Sequence, residues 1–185
     1  GLYYSVGDWG DLGFLNGPKK NPSGWGKFVQ RVHTQLVELM SNYGKIDYLF
    51  YDACPPPESW GCAEINREIR RLQPHILISS RCGLEEDVTS AEGHILYKDP
   101  GKAWETCMTT NRSWGYDYGA ERDWKTPRQV VLELITCAHN GGNYLLNIGP
   151  KGDGSVPERA VELLREVGRW VKINGDAIYG TLPHP

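Results

Sequence analysis

A chain of 185 residues with 39% hydrophobic side chains is long enough to bury one sizeable core, so a single domain over residues 1–185 is expected. Its formal net charge of −3 leaves no basic surface of the kind that tracks a phosphate backbone, which argues against nucleic acid as a partner. No apolar run approaches the ~20 residues that span a bilayer and no basic start precedes an apolar stretch. A membrane partner is therefore not expected, and a bacterial-type cytoplasmic location is, although a signal segment could have been removed ahead of Gly1.

In chain order, residues 2–6 read as a strand broken by Gly7 and Gly10, and the Gly/Pro/Asn-rich stretch 10–24 reads as a loop. Trp25, Phe28, Val29, Val32, Leu36, Leu39, Met40 and Tyr43 recur at helical spacing and stop at Gly44. Residues 46–51 form a short apolar run ended by Asp52 and three prolines, as expected of a buried parallel strand. Ile65, Ile69 and Leu72 mark a helix ending before Pro74. Residues 75–81 read as a strand, followed by a solvated acidic loop with Glu85, Glu86 and Asp87.

Two further strands are expected, a short one at 94–97 and another at 104–109. Thr126-Pro127-Arg128-Gln129 has the form of a capping box with Pro at the first helical position, opening a helix that Gly141-Gly142 ends. A strand at 143–148 and a helix starting near Pro157 complete the chain. Strands alternating with helices predict an α/β fold of parallel βα units, with five to six strands and four helices. Gly149 to Gly154 follow a strand without the spacing of a phosphate loop and read as a plain turn. Five scattered cysteines without a CxxC pair read as small buried apolar side chains, so neither a metal site nor a disulfide framework is expected. Seven Trp and ten Tyr against three Phe suit a carbohydrate cleft, and equally an aromatic core.

Polar residues recur where the expected strands stop: Asp8-Trp9, Asp52, Arg81, Glu105 and Asn147. In a parallel barrel such positions converge on one mouth. Each alone also suits a turn or cap residue, and Glu105 suits an ordinary ion-pair partner of Arg112 or Lys102. Two carboxylates beside aromatics match the needs of glycoside hydrolysis, in which one attacks and the other protonates the leaving oxygen. Trp104 next to Glu105 would desolvate an acid and raise its pKa.

Several blocks together resemble the family 29 glycoside hydrolases, the α-L-fucosidases: GLYYS at 1–5 with Asp8-Trp9, YLFYD at 48–52, ISSR at 78–81, WETCM at 104–108 with SWGY at 113–116, NGGNYLLNIGPKGDG at 140–154 and GDAIYGT at 175–181. The resemblance runs in order through nearly the whole chain. It implies a retaining double displacement on α-L-fucosides, without metal or organic cofactor, in the later βα units of a truncated (β/α)8, TIM-like barrel. Asp52 matches the nucleophile and Glu105 the acid/base, their carboxyl groups then expected ~5–5.5 Å apart. Trp9, Tyr4, Phe50, Arg81 and Trp114 match positions lining the sugar pocket. The implied partner is a fucosylated oligosaccharide or glycoconjugate.

Two departures stand out. A position often Trp in the family is Phe50 here, which keeps a stacking face and loses an indole N–H donor. The family's early strands, with a His-His segment that grips fucose hydroxyls, have no counterpart, because none of His33, His75, His94, His139 and His184 belongs to such a pair. An incomplete barrel would leave open sheet edges, so a homo-oligomer, most simply a two-fold homodimer, is expected. The alternative function is a fucose-binding fragment without turnover.

Overall fold

A computed structural model describes residues 1–95 and 101–182, with Glu121 described through its backbone alone. The chain forms two compact units, Gly1–Thr89 and Ser90–Pro185.

In the first unit, β1 (Leu2–Ser5), β2 (Tyr48–Asp52) and β3 (Leu77–Ile78) make a parallel sheet in that order. Tyr3 lies opposite Phe50 and Ser5 opposite Asp52. Helix α1 covers Leu12–Lys20, α2 Pro22–Asn42 and α3 Cys62–Leu72. The α2 stripe Trp25, Phe28, Val32, Leu36 and Met40 is buried with Leu49, Tyr51, Ile65, Ile69 and Ile78. Gln73, itself buried, donates from Nε2 to the carbonyls of Met40 (2.7 Å) and Gly44 (2.9 Å), satisfying the open C-terminal end of α2.

The loop expected at 10–24 is instead α1 and the first turn of α2. Its supposed breakers act as helix punctuation. Asp11 caps the Phe14 N–H (2.9 Å), Gly17 kinks α1 with φ 68°, and Asn21 caps the Gly24 N–H ahead of Pro22 (3.0 Å). The strand expected at 75–81 pairs with β2 over Leu77–Ile78, and the Ser79 N–H adds a bond to the Leu49 carbonyl (3.0 Å). After Ser79 the Tyr51 N–H bonds to the Ser79 hydroxyl (3.0 Å) in place of a backbone carbonyl, and Ser80–Cys82 turns into a 3-10 helix.

The acidic loop is not simply solvated. Glu86 and Asp87 pair with Arg70 (2.6 and 2.9 Å), Asp87 accepts from the Ile78 N–H (2.8 Å), and Glu86 accepts from the buried Asn66 amide (2.7 Å). Burial pushes the Asp87 carboxyl up, but the Ile78 N–H and Arg70 outweigh it and hold the group low.

The second unit contains β5 (Ala103–Thr109) and β6 (Asn143–Asn147), which pair in parallel, and most of β4 (Val88–Glu92) on the other side of β5. Helices α4 (Pro127–His139) and α5 (Glu158–Asn174) follow β5 and β6. The capping box at Thr126 and Gln129 forms as expected. Val130, Leu163 and Val167 make the buried cluster, flanked by Trp124, Tyr144 and Leu146. The strand at Val88–Glu92 was not expected; of the short strand expected at 94–97, His94 and Ile95 lie outside any strand, and Leu96 and Tyr97 fall outside the described residues.

The fold is thus α/β with parallel strands, and among the described residues it has six strands and five helices, one more helix than expected because of α1. Cys62, Cys82, Cys107 and Cys137 are buried and Cys54 is half-buried. No helix among the described residues is long and apolar enough to cross a membrane.

Candidate active site

The strongest site geometry is at the C-terminal end of the first sheet. Successive residues of a strand face opposite sides, so Phe50 and Asp52 share a face with Tyr3, while Leu49 and Tyr51 turn toward the helices. The Tyr3 hydroxyl donates to Asp52 Oδ2 (2.5 Å), and Arg81 donates from a terminal guanidinium nitrogen to Asp52 Oδ1 (2.5 Å). Both carboxylate oxygens are therefore engaged. The Phe50 ring supports the two donors at once, stacked on Tyr3 (5.8 Å between centroids) and lying 5.2 Å from the Arg81 guanidinium carbon.

Partial burial alone would push the Asp52 carboxyl up. The Tyr3 hydroxyl, Arg81 and the Ala53 N–H outweigh it and hold the group below the usual aspartate range. Asp52 is then an ionised group of fixed orientation. The next residue, Ala53, is in the left-handed region at φ 48°, the only non-glycine residue with positive φ among those described, and it swings the chain away directly after the carboxylate.

The expectation for Tyr4 is corrected by strand alternation. Tyr4 points to the helical side, its hydroxyl donates to Gln35 Oε1 in α2 (2.7 Å), and burial pushes its phenol up to about 12. Tyr3, 63% exposed, is the tyrosine on the Asp52 face, and the sequence reading missed it. The alternation Tyr3, Phe50, Asp52 against the parallel register was the signal that could have found it. Trp9, 77% exposed, stands edge-on to Phe14, and Asp8 pairs with Arg31 (2.8 Å).

In the second unit the expectation that Glu105 ends its strand is also corrected. Glu105 is the third residue of β5, lies opposite Asn143 at the start of β6, is 7% exposed, and accepts from the Ser90 hydroxyl (2.7 Å). The C-terminal ends of β5 and β6 are Thr109 and Asn147. Trp104 and Glu105, as neighbours along the strand, do not share a face of the sheet. The Trp104 indole donates to the Asn140 carbonyl (3.2 Å) and packs on Gly142, where an added Cβ would come within 2.3 Å of the ring.

Ser90 is level with Glu105, and the Gly93 N–H bonds to the Cys107 carbonyl (3.0 Å), so β4 advances in the same direction as β5. Glu92, exposed, is then the carboxylate at the C-terminal end of β4. It escaped the sequence reading because VTSAE contains no long apolar run, and the strand itself went unrecognised.

Trp114, 43% exposed, and the exposed Tyr116 are carried on the loop after β5. The Asn147 amide at the end of β6 donates to the Trp114 carbonyl (2.8 Å). Gly149 to Gly154 form a turn, with the Gly154 N–H on the Lys151 carbonyl (2.9 Å) and Asp153 accepting from the Ser155 N–H (2.9 Å). No group of three or more His, Cys, Asp or Glu side chains among the described residues is placed to hold a metal ion.

The strand-end carboxylates and exposed aromatics suit sugar chemistry, and comparison with known proteins is consistent with that. The sequence matches the alpha-L-fucosidase family model over residues 1–176. It is 31% identical over 197 residues to the plasma alpha-L-fucosidase of Homo sapiens, covering 98% of this chain and 41% of that protein. With the alpha-L-fucosidase of Dictyostelium discoideum it shares 28% over 196 residues, 99% of this chain and 42% of that one. Among solved structures, alpha-L-fucosidase isoenzyme 1 from Paenibacillus thiaminolyticus superposes with a TM-score of 0.86 at 35% identity, covering 100% of this chain and 51% of its own. A Thermotoga maritima alpha-L-fucosynthase in complex with alpha-L-Fuc-(1-2)-beta-L-Fuc-N3 gives 0.82 at 28% identity, covering 100% and 43%. The chain thus spans less than half of the curated relatives it matches, and throughout that span it belongs to the α-L-fucosidase family.

Proposed function

We propose that this chain carries the nucleophile-bearing part of a retaining α-L-fucosidase, built on the later βα units of a (β/α)8 barrel and acting within one catalytic domain on fucosylated oligosaccharides or glycoconjugates. The observation that carries the reading is the Asp52 carboxylate, held ionised at a parallel strand end by Tyr3 and Arg81. Asp52 attacks the anomeric carbon, the glycosidic bond breaks, and the departing oxygen takes a proton from a carboxylic acid. Water, deprotonated by the same carboxylate, then hydrolyses the fucosyl ester and restores the α configuration.

For the acid/base we favour Glu92 over Glu105. Glu92 is exposed at a C-terminal strand end, where parallel α/β sheets place their chemistry, while Glu105 is buried in the first half of β5 on Ser90. Asp52→Gly should abolish hydrolysis of an aryl α-L-fucoside, and azide should restore turnover as the β-fucosyl azide; the α-anomer would show the nucleophile to be misassigned. Loss of the acid/base slows poor leaving groups far more than activated aryl fucosides. That split should follow Glu92→Ala and not Glu105→Ala, and the reverse result returns the role to Glu105.

The second reading is a fucose-binding portion without turnover. A chromogenic aryl α-L-fucoside separates the two. We also infer self-association, most simply as a two-fold dimer, because β1 and β6 each end their sheet among the described residues and Leu145 of β6 is exposed. Light scattering that finds a stable monomer ends that idea.

A further inference from the structure

The segment after β6 makes three separate contacts with the loop that carries Trp114 and Tyr116. The Asn147 side-chain amide donates to the Trp114 carbonyl (2.8 Å). Gly149 lies so close to the same loop that an added Cβ would stand 2.7 Å from the Gly115 carbonyl oxygen and 3.0 Å from the Tyr116 nitrogen. Lys151 places its ammonium 6.0 Å from the centre of the Tyr116 ring.

These contacts differ in kind, and they fall on three consecutive loop residues. The first is a directional bond to a backbone carbonyl of the loop. The second is a close backbone approach that only a glycine permits, so the absent side chain at 149 is a requirement of the loop's position. The third orients the Tyr116 ring. The base of the loop is fixed as well, since the Ser113 N–H bonds to Asn111 Oδ1 (2.9 Å) and the Thr110 N–H to the Asn147 carbonyl (3.2 Å).

What the loop presents is two half-exposed aromatic rings at the C-terminal edge of β5 and β6. A large ring left in water on a loop that several groups immobilise is suited to stacking against the C–H face of a pyranose. Holding the ring still before the sugar arrives lowers the ordering cost of binding.

We propose that Asn147, Gly149 and Lys151 are positioning residues that clamp the 113–116 loop and thereby set the affinity of Trp114 for the sugar ring. The proposal rests on the fucosidase reading for the identity of the sugar and stands apart from it for the clamp. Asn147 and Gly149 act through the loop backbone and Lys151 through the Tyr116 ring.

The test uses the full chain and the variants Asn147→Ala, Gly149→Ala, Lys151→Met and Trp114→Ala. Amide hydrogen exchange reads the clamp without any sugar: exchange at Gly115 and Tyr116 should rise by up to ~10-fold in Asn147→Ala, the worth of one hydrogen bond, with α2 amides unchanged. It should rise further in Gly149→Ala. Lys151→Met, a surface change that leaves the backbone free to fold, should give a smaller rise confined to Tyr116. Unchanged exchange at 113–116 in all three overturns the clamp.

The dissociation constant of free L-fucose, measured by calorimetry, then reads the consequence. It should rise by up to ~10-fold in Asn147→Ala and rise no further when that change is added to Trp114→Ala, since a residue acting through Trp114 is non-additive with its loss. Additive effects overturn the positioning role. Wild-type protein that binds no L-fucose at all, with the exchange pattern intact, sinks the sugar assignment and leaves the clamp standing.

Discussion

The two units bury their apolar surface very differently. Among the described residues, the first packs sixteen buried side chains from α2, α3 and the sheet into one cluster, whereas the second gathers three around α4 and α5. It also leaves Leu132, Ile135, Leu164 and Ile173 of those helices in water. Asp52, with both carboxylate oxygens engaged, belongs to the well-packed unit, and the exposed Glu92 and the aromatic loop belong to the sparse one. The placement of Asp52 is thus supported by packing, while the Trp114 loop is held by individual polar contacts such as that of Asn147. Regions with few buried contacts open at lower free energy, so exchange and proteolysis should begin after residue 89.

The sharpest way to break this comparison is to cut both cores. Phe28→Ala removes a fully buried ring from α2 and should cost ~3–5 kcal/mol, while Leu163→Ala, beside exposed neighbours, should fall near the low end of the ~2–5 kcal/mol range for leucine. Equal losses in urea unfolding would show that the second unit is better packed than its buried cluster indicates. A smaller effect is expected at Gln73, where alanine would remove the bond to the buried Met40 carbonyl and the one to the part-buried Gly44 carbonyl for ~1–3 kcal/mol, read by the same unfolding curves.

The environment of Asp52 gives a pH signature. The folded-state pKa of Asp52 is depressed, so its contribution to stability is present above the unfolded aspartate value of ~3.9 and is lost as pH falls through the folded value. The acid limb of activity set by Asp52 should lie in that same low range. Arg81→Met removes one donor, and the limb should move up in pH; a limb that stays put would detach Arg81 from the nucleophile. Smallest of all should be Ala53→Gly. Relief of the left-handed strain, ~1–2 kcal/mol, is partly offset by ~0.4–1 kcal/mol of added unfolded-chain freedom, leaving a net gain of ~0–1.6 kcal/mol in unfolding measurements.

Much of the fold was legible from residue pattern. The α2 stripe, the apolar run into Asp52 and the capping box at Thr126 are local signals, and each produced its element. What the sequence hid was decided by neighbours in space. Asp11 and Asn21 look like loop residues until one sees the N–H groups they cap, and VTSAE becomes a strand only because β5 lies beside it. In the site, Asp52, Arg81 and Phe50 were recognisable and the structure brings them together. Tyr3 was lost to Tyr4, and Glu105 was credited with a strand end it does not occupy, because facing and register are properties of paired strands.

The tyrosine doublet of β1 bears on how the chain tolerates insertions. A slip of one residue along β2 would exchange the two rings, bringing the Tyr4 hydroxyl toward Asp52 and sending Tyr3 toward Gln35, so the doublet itself barely distinguishes the two alignments. The distinction falls on the next two residues. Val6 is buried and donates its N–H to the Asp52 carbonyl (3.0 Å), and Gly7 leaves room for Ala53, whose Cβ would stand 3.0 Å from any side chain there. An added residue before Val6 would turn that valine into water and push a side chain against Ala53. The alignment that aims the Asp52 carboxylate is therefore encoded by an apolar residue and a missing side chain beyond the end of the strand, neither of which touches the carboxylate side chain.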